Sequence, residues 1–119
     1  MPTILLVDDD EGIRGVIGES LSAAGFEVIT ASNATAGFNQ LVARPDIDLC
    51  ITDLVMASFV PDGVGLLHSI GSIRPDIPVI LMTGYLSAAE RLGDTKATLL
   101  YKPITPDVLL TEINRLLAR

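Results

Sequence analysis

Four short runs, Thr3-Ile4-Leu5-Leu6-Val7, Leu49-Cys50-Ile51-Thr52, Val79-Ile80-Leu81-Met82 and Thr98-Leu99-Leu100-Tyr101, are almost continuously apolar instead of alternating with polar residues. Strands with this pattern are covered on both faces, as in parallel sheets sandwiched between helices. Between them the apolar period changes to that of helices. Residues 11 to 24 place Ile13, Val16, Ile17, Ser20 and Leu21 on one face, with Gly25 positioned to terminate the helix and glycines 12, 15 and 18 weakening it. Glu27 to Thr30 reads as a further strand, and Asn33 as the cap of a helix from Ala34 to Ala43 that stops before Arg44-Pro45. Asp48 to Thr52 is the third strand, Gly63 to Ile73 a helix, and Ser87 to Leu92 a short helix after the fourth strand. The chain closes with Thr105 as N-cap, Pro106 at the first helical position, Asp107 in the first turn, and an apolar stripe of Val108, Leu109, Ile113, Leu116 and Leu117.

Five strands alternating with five helices predict an α/β fold: a doubly wound, five-stranded parallel sheet with right-handed crossovers and helices on both faces. With 119 residues and 49% hydrophobic content, residues 1–119 are expected to form one domain with its own core. No apolar run approaches the ~20 residues needed to span a bilayer, and Met1-Pro2-Thr3 leads directly into a strand, so a soluble, cytoplasmic protein is expected. A net charge of -7 with eight scattered Lys and Arg argues against direct binding to nucleic acid. Cys50, the single cysteine, sits inside an apolar run and reads as a buried thiol.

The strand ends carry the chemistry. The first runs into Asp8-Asp9, the third into Asp53, the fourth into Thr83, and the fifth into Lys102-Pro103. In an open parallel sheet, ligands bind beyond the carboxyl ends of the strands, so three carboxylates, a hydroxyl and an ammonium converge there. Asp8, Asp9 and Asp53 would repel one another without a cation, and their hard oxygen donors suit Mg2+. Asp53 is then placed to attack an activated phosphoryl group as a carboxylate nucleophile and form an acyl phosphate. Lys102 supplies a point charge for the phosphoryl oxygens, and the Thr83 hydroxyl donates to one of them. A cis Lys102-Pro103 bond is expected, with the lysine directed into the cleft.

These motifs, Ile4-Leu-Leu-Val-Asp8-Asp9-Asp10, Asp46-Ile-Asp-Leu-Cys-Ile-Thr-Asp53-Leu-Val-Met56, Pro78-Val-Ile-Leu-Met-Thr83-Gly84 and Tyr101-Lys102-Pro103-Ile104, resemble those of the response-regulator receiver domain of two-component signalling. The likeness covers essentially the whole chain. It implies a flavodoxin-like (βα)5 fold in three α/β/α layers and a phosphoacceptor role for Asp53, supplied by a histidine kinase or a histidine-phosphotransfer protein. It further implies Mg2+ held directly by Asp9, Asp53 and the main-chain carbonyl of Val55, with Asp8 acting through a metal-bound water. Phosphorylation would draw Thr83 inward and change the surface offered to a downstream target protein or effector domain.

The sequence departs from that family in two places. Ala57 stands where a Pro is usual, and the loop Ala57-Ser-Phe-Val-Pro-Asp62 is expanded beside Asp53, with Phe59 and Val60 available to a partner or to the loop's own packing. Leu99 occupies the position that commonly holds a Tyr or Phe moving with the threonine, so an atypical output is expected, and the stretch from Thr83 to Lys102 is shorter than usual in the family, so a short fourth helix is expected. His68 reads as an ordinary helical residue, Met56 and Met82 as core filler, and Tyr85 as a candidate shield over the acyl phosphate. Two other classes compete. A haloacid-dehalogenase-type phosphatase requires a carboxylate two residues after Asp53, where this chain has Val55. A degenerate receiver acting as a phosphorylation-independent interaction module would leave the acidic cluster and Lys102 without a role. A stand-alone regulator and a piece of a hybrid kinase or DNA-binding regulator share this sequence pattern.

Overall fold

The computed structural model describes residues 1–53, 63–84 and 97–118, with the backbone alone at 63–65. Its elements follow the order β1 (Thr3–Val7), α1 (Glu11–Ala23), β2 (Glu27–Ala31), α2 (Ala34–Ala43), β3 (Ile47–Asp53), α3 (Gly63–Ile73), β4 (Val79–Thr83), β5 (Thr98–Tyr101) and α4 (Pro106–Leu117). The five strands form one parallel sheet in the order β2-β1-β3-β4-β5. The expected doubly wound, flavodoxin-like sheet is therefore present. The helix expected over Ser87 to Leu92 and the loop Met56 to Asp62 lie outside the described residues.

Successive residues of each central strand point to opposite faces, which explains why the runs are continuously apolar. On one side Ile4 and Leu6 of β1, Leu49 and Ile51 of β3, and Ile80 and Met82 of β4 pack with Leu21 of α1 and Leu109 and Ile113 of α4. On the other, Leu5, Val7, Cys50 and Leu81 meet Ala34 and Leu41 of α2 and Leu66 and Ile70 of α3. Met82 is core filler, as expected, at 1% exposure.

Local signals fix where the elements begin and end. Asp10, Asn33 and Thr105 each accept a hydrogen bond from the N–H three residues on, at 3.0, 2.8 and 3.3 Å, capping α1, α2 and α4. Gly25, at φ +98°, ends α1 in the left-handed conformation that glycine adopts without a Cβ penalty. The strands β2 and β3 run slightly beyond the sequence-based bounds, to Ala31 and over Ile47–Asp53, because the parallel ladder with β1 continues to Ala31 and starts at Ile47, and Asp53 pairs with Met82 of β4.

Two apolar assignments are corrected. Val16 and Val108 are exposed at 64% and 48%. In α1, Ile17 and Leu21 lie four apart along the buried line, and Val16 is rotated about 100° from Ile17. Val108 stands in the same relation to Leu109, which with Ile113 forms the buried line of α4.

Gly37 marks the tightest approach of α2 to the sheet. A Cβ there would lie 2.8 Å from Val7 Cγ2 and 3.6 Å from Leu66 Cδ2, whereas at Gly15 and Gly18 it would meet nothing within 4 Å. Gly37→Ala should therefore destabilise the fold by about 1 kcal/mol, because overpacking by a stiff, buried valine outweighs the gain in helix propensity. Gly15→Ala should stabilise it by up to about 1 kcal/mol. Urea denaturation of both variants checks the opposite signs; two changes of the same sign would contradict this packing.

Candidate functional site

The sheet order reverses between β1 and β3, and the residues that follow these two strands meet at their carboxyl ends. Asp8 directly follows β1, and its N–H extends the ladder by donating to the Ala31 carbonyl at 3.1 Å. Asp53 is the last residue of β3 and pairs in register with Met82, one residue before Thr83. On the next strand Thr83 pairs with Tyr101, and the Lys102 N–H donates to the Thr83 carbonyl at 2.6 Å. Four distant segments of sequence are thereby brought together by the ladder alone.

Asp8, Asp9 and Asp53 each offer a carboxylate oxygen, and these atoms all lie within 4.8 Å of one another. Lys102 Nζ donates to Asp53 Oδ2 at 3.1 Å from beyond β5, where the Lys102-Pro103 bond is cis as expected. Asp53 is 8% exposed and Thr83 1%, so the carboxylate is accessible at one edge and the hydroxyl is enclosed. Asp9 is exposed, at the mouth of the cleft. Of the residues predicted for the site, Asp8, Asp9, Asp53, Thr83 and Lys102 sit at this edge of the sheet; Val55 and Tyr85 lie outside the described residues.

Asp8 is the electrostatic centre of the cluster. It is fully buried; its Oδ1 accepts from the Asp10 N–H at 2.9 Å, while its Oδ2 is buried with no hydrogen-bond partner. Burial pushes its carboxyl above the usual carboxylate range, the Asp10 N–H pulls it back, and the neighbouring Asp53 charge pushes it up again. A buried acceptor without a donor is costly, and a divalent cation with oxygen ligands would complete it. The residues present therefore fit Mg2+.

The sequence reading did not identify Arg14. It lies one turn into α1, and its Nη1 donates to the Asp8 carbonyl at 2.7 Å. The available signal was its place on the first helical turns after an acidic strand end. His68 is exposed on α3, and Cys50 is buried with its thiol pushed up to about 12 by burial, so each stands apart from the site as expected. Leu99 packs against the core on the α2/α3 side, and Tyr101 is 42% exposed.

The chain matches the response regulator receiver domain family over residues 4–114. It is 33% identical over 114 residues to the transcriptional regulatory protein GlrR of Escherichia coli (strain K12), covering 93% of this chain and 25% of that protein. It is 30% identical over 120 residues to the response regulator receiver protein CpdR of Brucella abortus (strain 2308), covering 98% of each. A crystal structure of a response regulator receiver domain protein from Clostridium thermocellum matches with a TM-score of 0.87 and 32% identity, over 100% of this chain and 96% of that one. The chain thus spans about a quarter of the length of GlrR and nearly all of CpdR.

A folded-state pKa above the unfolded value means that ionised Asp8 opposes folding. Its contribution is least unfavourable at low pH and becomes a full penalty as pH rises through the raised pKa. Asp8→Asn keeps an acceptor for the Asp10 N–H and removes the charge, so in EDTA at pH 7 it should stabilise the protein by about 1–2 kcal/mol. A thermal melt measures this, and a variant no more stable than the parent would contradict it.

Proposed function

The chain belongs to the response regulator receiver domain family, and from that premise we propose that residues 1–119 form one phosphoacceptor domain in which Asp53 takes a phosphoryl group from a phosphohistidine. A receiver is a signalling domain rather than a classical enzyme. The observation that carries the reading is the combination at one sheet edge of a partly exposed nucleophilic carboxylate, an ammonium 3.1 Å from it, and two further carboxylates within 4.8 Å.

An Asp53 carboxylate oxygen forms the new P–O bond as the P–N bond of the donor histidine breaks and the electron pair leaves on the imidazole nitrogen. An acyl phosphate on Asp53 results. Lys102 remains beside the phosphoryl oxygens as a point charge, and Thr83 donates its hydroxyl to one of them. Asp9, Asp53 and the Val55 carbonyl would hold Mg2+, with Asp8 contributing through a metal-bound water. A Mg2+ held there would supply neutralisation of the charge that builds on the phosphoryl oxygens. The donor is a histidine kinase or histidine-phosphotransfer protein, and the output goes to a downstream target or effector domain. With a partly buried Leu99 packed against the core, the output surface works without an aromatic residue at that position.

The absence of a carboxylate at Val55 speaks against a haloacid-dehalogenase-type hydrolase beyond slow self-dephosphorylation. The buried, partnerless Asp8 Oδ2 speaks against a purely structural module, because such a module has no use for a costly acidic pocket. No described helix is long and apolar enough to cross a membrane; a cytoplasmic location belongs to the same proposal.

Intact mass after incubation with acetyl phosphate and Mg2+ should show one added phosphoryl group on the wild type and none on Asp53→Asn or in EDTA. Lys102→Ala should slow the addition by on the order of 10²-fold. Labelling of the Asp53→Asn protein, or none of the wild type, would overturn the reading.

A further inference from the structure

Asp8 has four hydrogen-bonding atoms, and three are committed: N–H to the Ala31 carbonyl at 3.1 Å, Oδ1 from the Asp10 N–H at 2.9 Å, and the main-chain carbonyl from Arg14 Nη1 at 2.7 Å. The last of these contacts is not part of the sheet or of the helix. The ladder bond is made by the Asp8 N–H, and Arg14 adds a hold on the carbonyl of the Asp8–Asp9 peptide that follows it. Arg14 is itself anchored in α1, its N–H donating to the Asp10 carbonyl at 3.0 Å, and Asp10 in turn caps that helix. The result is a closed loop of bonds, Asp8 to Arg14 to Asp10 and back to Asp8, wrapped around the peptide that carries Asp9.

We propose that Arg14 is the positioning residue of the acidic pocket: by holding the Asp8 carbonyl it fixes the Asp8–Asp9 peptide, and the affinity of the pocket for a divalent cation depends on it. This rests on the Mg2+ reading given above. Arg14 donates to a carbonyl and acts through the backbone, so it leaves the carboxylate oxygens open to the cation. Outer contacts that orient ligating groups commonly control affinity 10- to 100-fold.

Electrostatics and positioning make opposite predictions, which gives the proposal a test by sign. Arg14 is a positive charge bonded to the main chain of the pocket, so deleting it merely as a charge would, if anything, tighten binding of a divalent cation. Deleting it as a clasp weakens that binding. We expect isothermal titration of Arg14→Gln with MgCl2 to give about 10-fold or greater loss of affinity. The acetyl-phosphate labelling rate should need correspondingly more Mg2+ and return to near the wild-type rate at saturation. Arg14→Lys keeps the charge and one donor, is expected to fall between the two, and carries the comparison should the Gln variant not fold. Unchanged or tighter Mg2+ binding by the variants overturns the proposal, as does a lower saturating rate with unchanged affinity. A wild type that binds no Mg2+ would instead overturn the phosphoacceptor reading on which it rests.

Discussion

Repulsion among Asp8, Asp9 and Asp53 is the constraint on which the arrangement of this molecule turns. Their ligand oxygens fall within 4.8 Å, and one of the three carboxylates is fully buried. Such a cluster survives only because covalent structure and packing leave it no alternative. Asp8 and Asp53 are fixed by neighbouring strands whose register runs from Thr3 to Val7 on β1 and through Thr52 on β3. Both strands are buried on both faces, so sliding either would expose a row of apolar side chains or break the ladder. The cost of crowding the carboxylates is therefore carried by the hydrophobic layers on either side.

Close packing also couples the layers to the site. Val7 precedes Asp8 and lies under α2 at Gly37, where only a residue without Cβ fits. Leu66 of α3 reaches the same point. A change in the α2/α3 layer is thus transmitted through one stiff side chain to the residue before the buried carboxylate. On the opposite face Leu21 anchors the distal part of α1, while the proximal part, bearing exposed glycines and Val16, is held by the Asp10 cap and by Arg14.

Much of this was legible in the sequence, for identifiable physical reasons. Continuous apolar runs can be satisfied only by strands buried twice, which fixed the parallel sheet and hence the edge at which Asp8, Asp53, Thr83 and Lys102 would meet. Asn33, Thr105 and Gly25 announced helix ends because capping and left-handed backbone demand few residue types. Val16 and Val108 misled because an apolar residue at the border of a helical stripe is placed by a rotation of about 100°, which composition does not resolve. Arg14 escaped because its role lies in a bond to a main-chain carbonyl, and sequence patterns report which side chains are present, not which backbone groups lack a partner.

Lys102 bonds to a carboxylate of the pocket and Arg14 to its main chain, and their chemical difference matches their positions. Lys102 follows a strand and contacts Asp53 Oδ2 with a compact ammonium on a flexible stem, 30% exposed. A point charge of this kind could stay with the site if Asp53 passes from a bare carboxylate to an acyl phosphate, because it imposes no planar geometry. Arg14 sits on a helix and donates to a carbonyl that does not change during such a reaction. A rigid guanidinium suits a fixed acceptor, since its preorganised fork loses less freedom per bond formed. An exchange of the two residue types would put the rigid group where the chemistry moves and the flexible one where the backbone must stay still, so the division between lysine and arginine follows from what each contact has to tolerate.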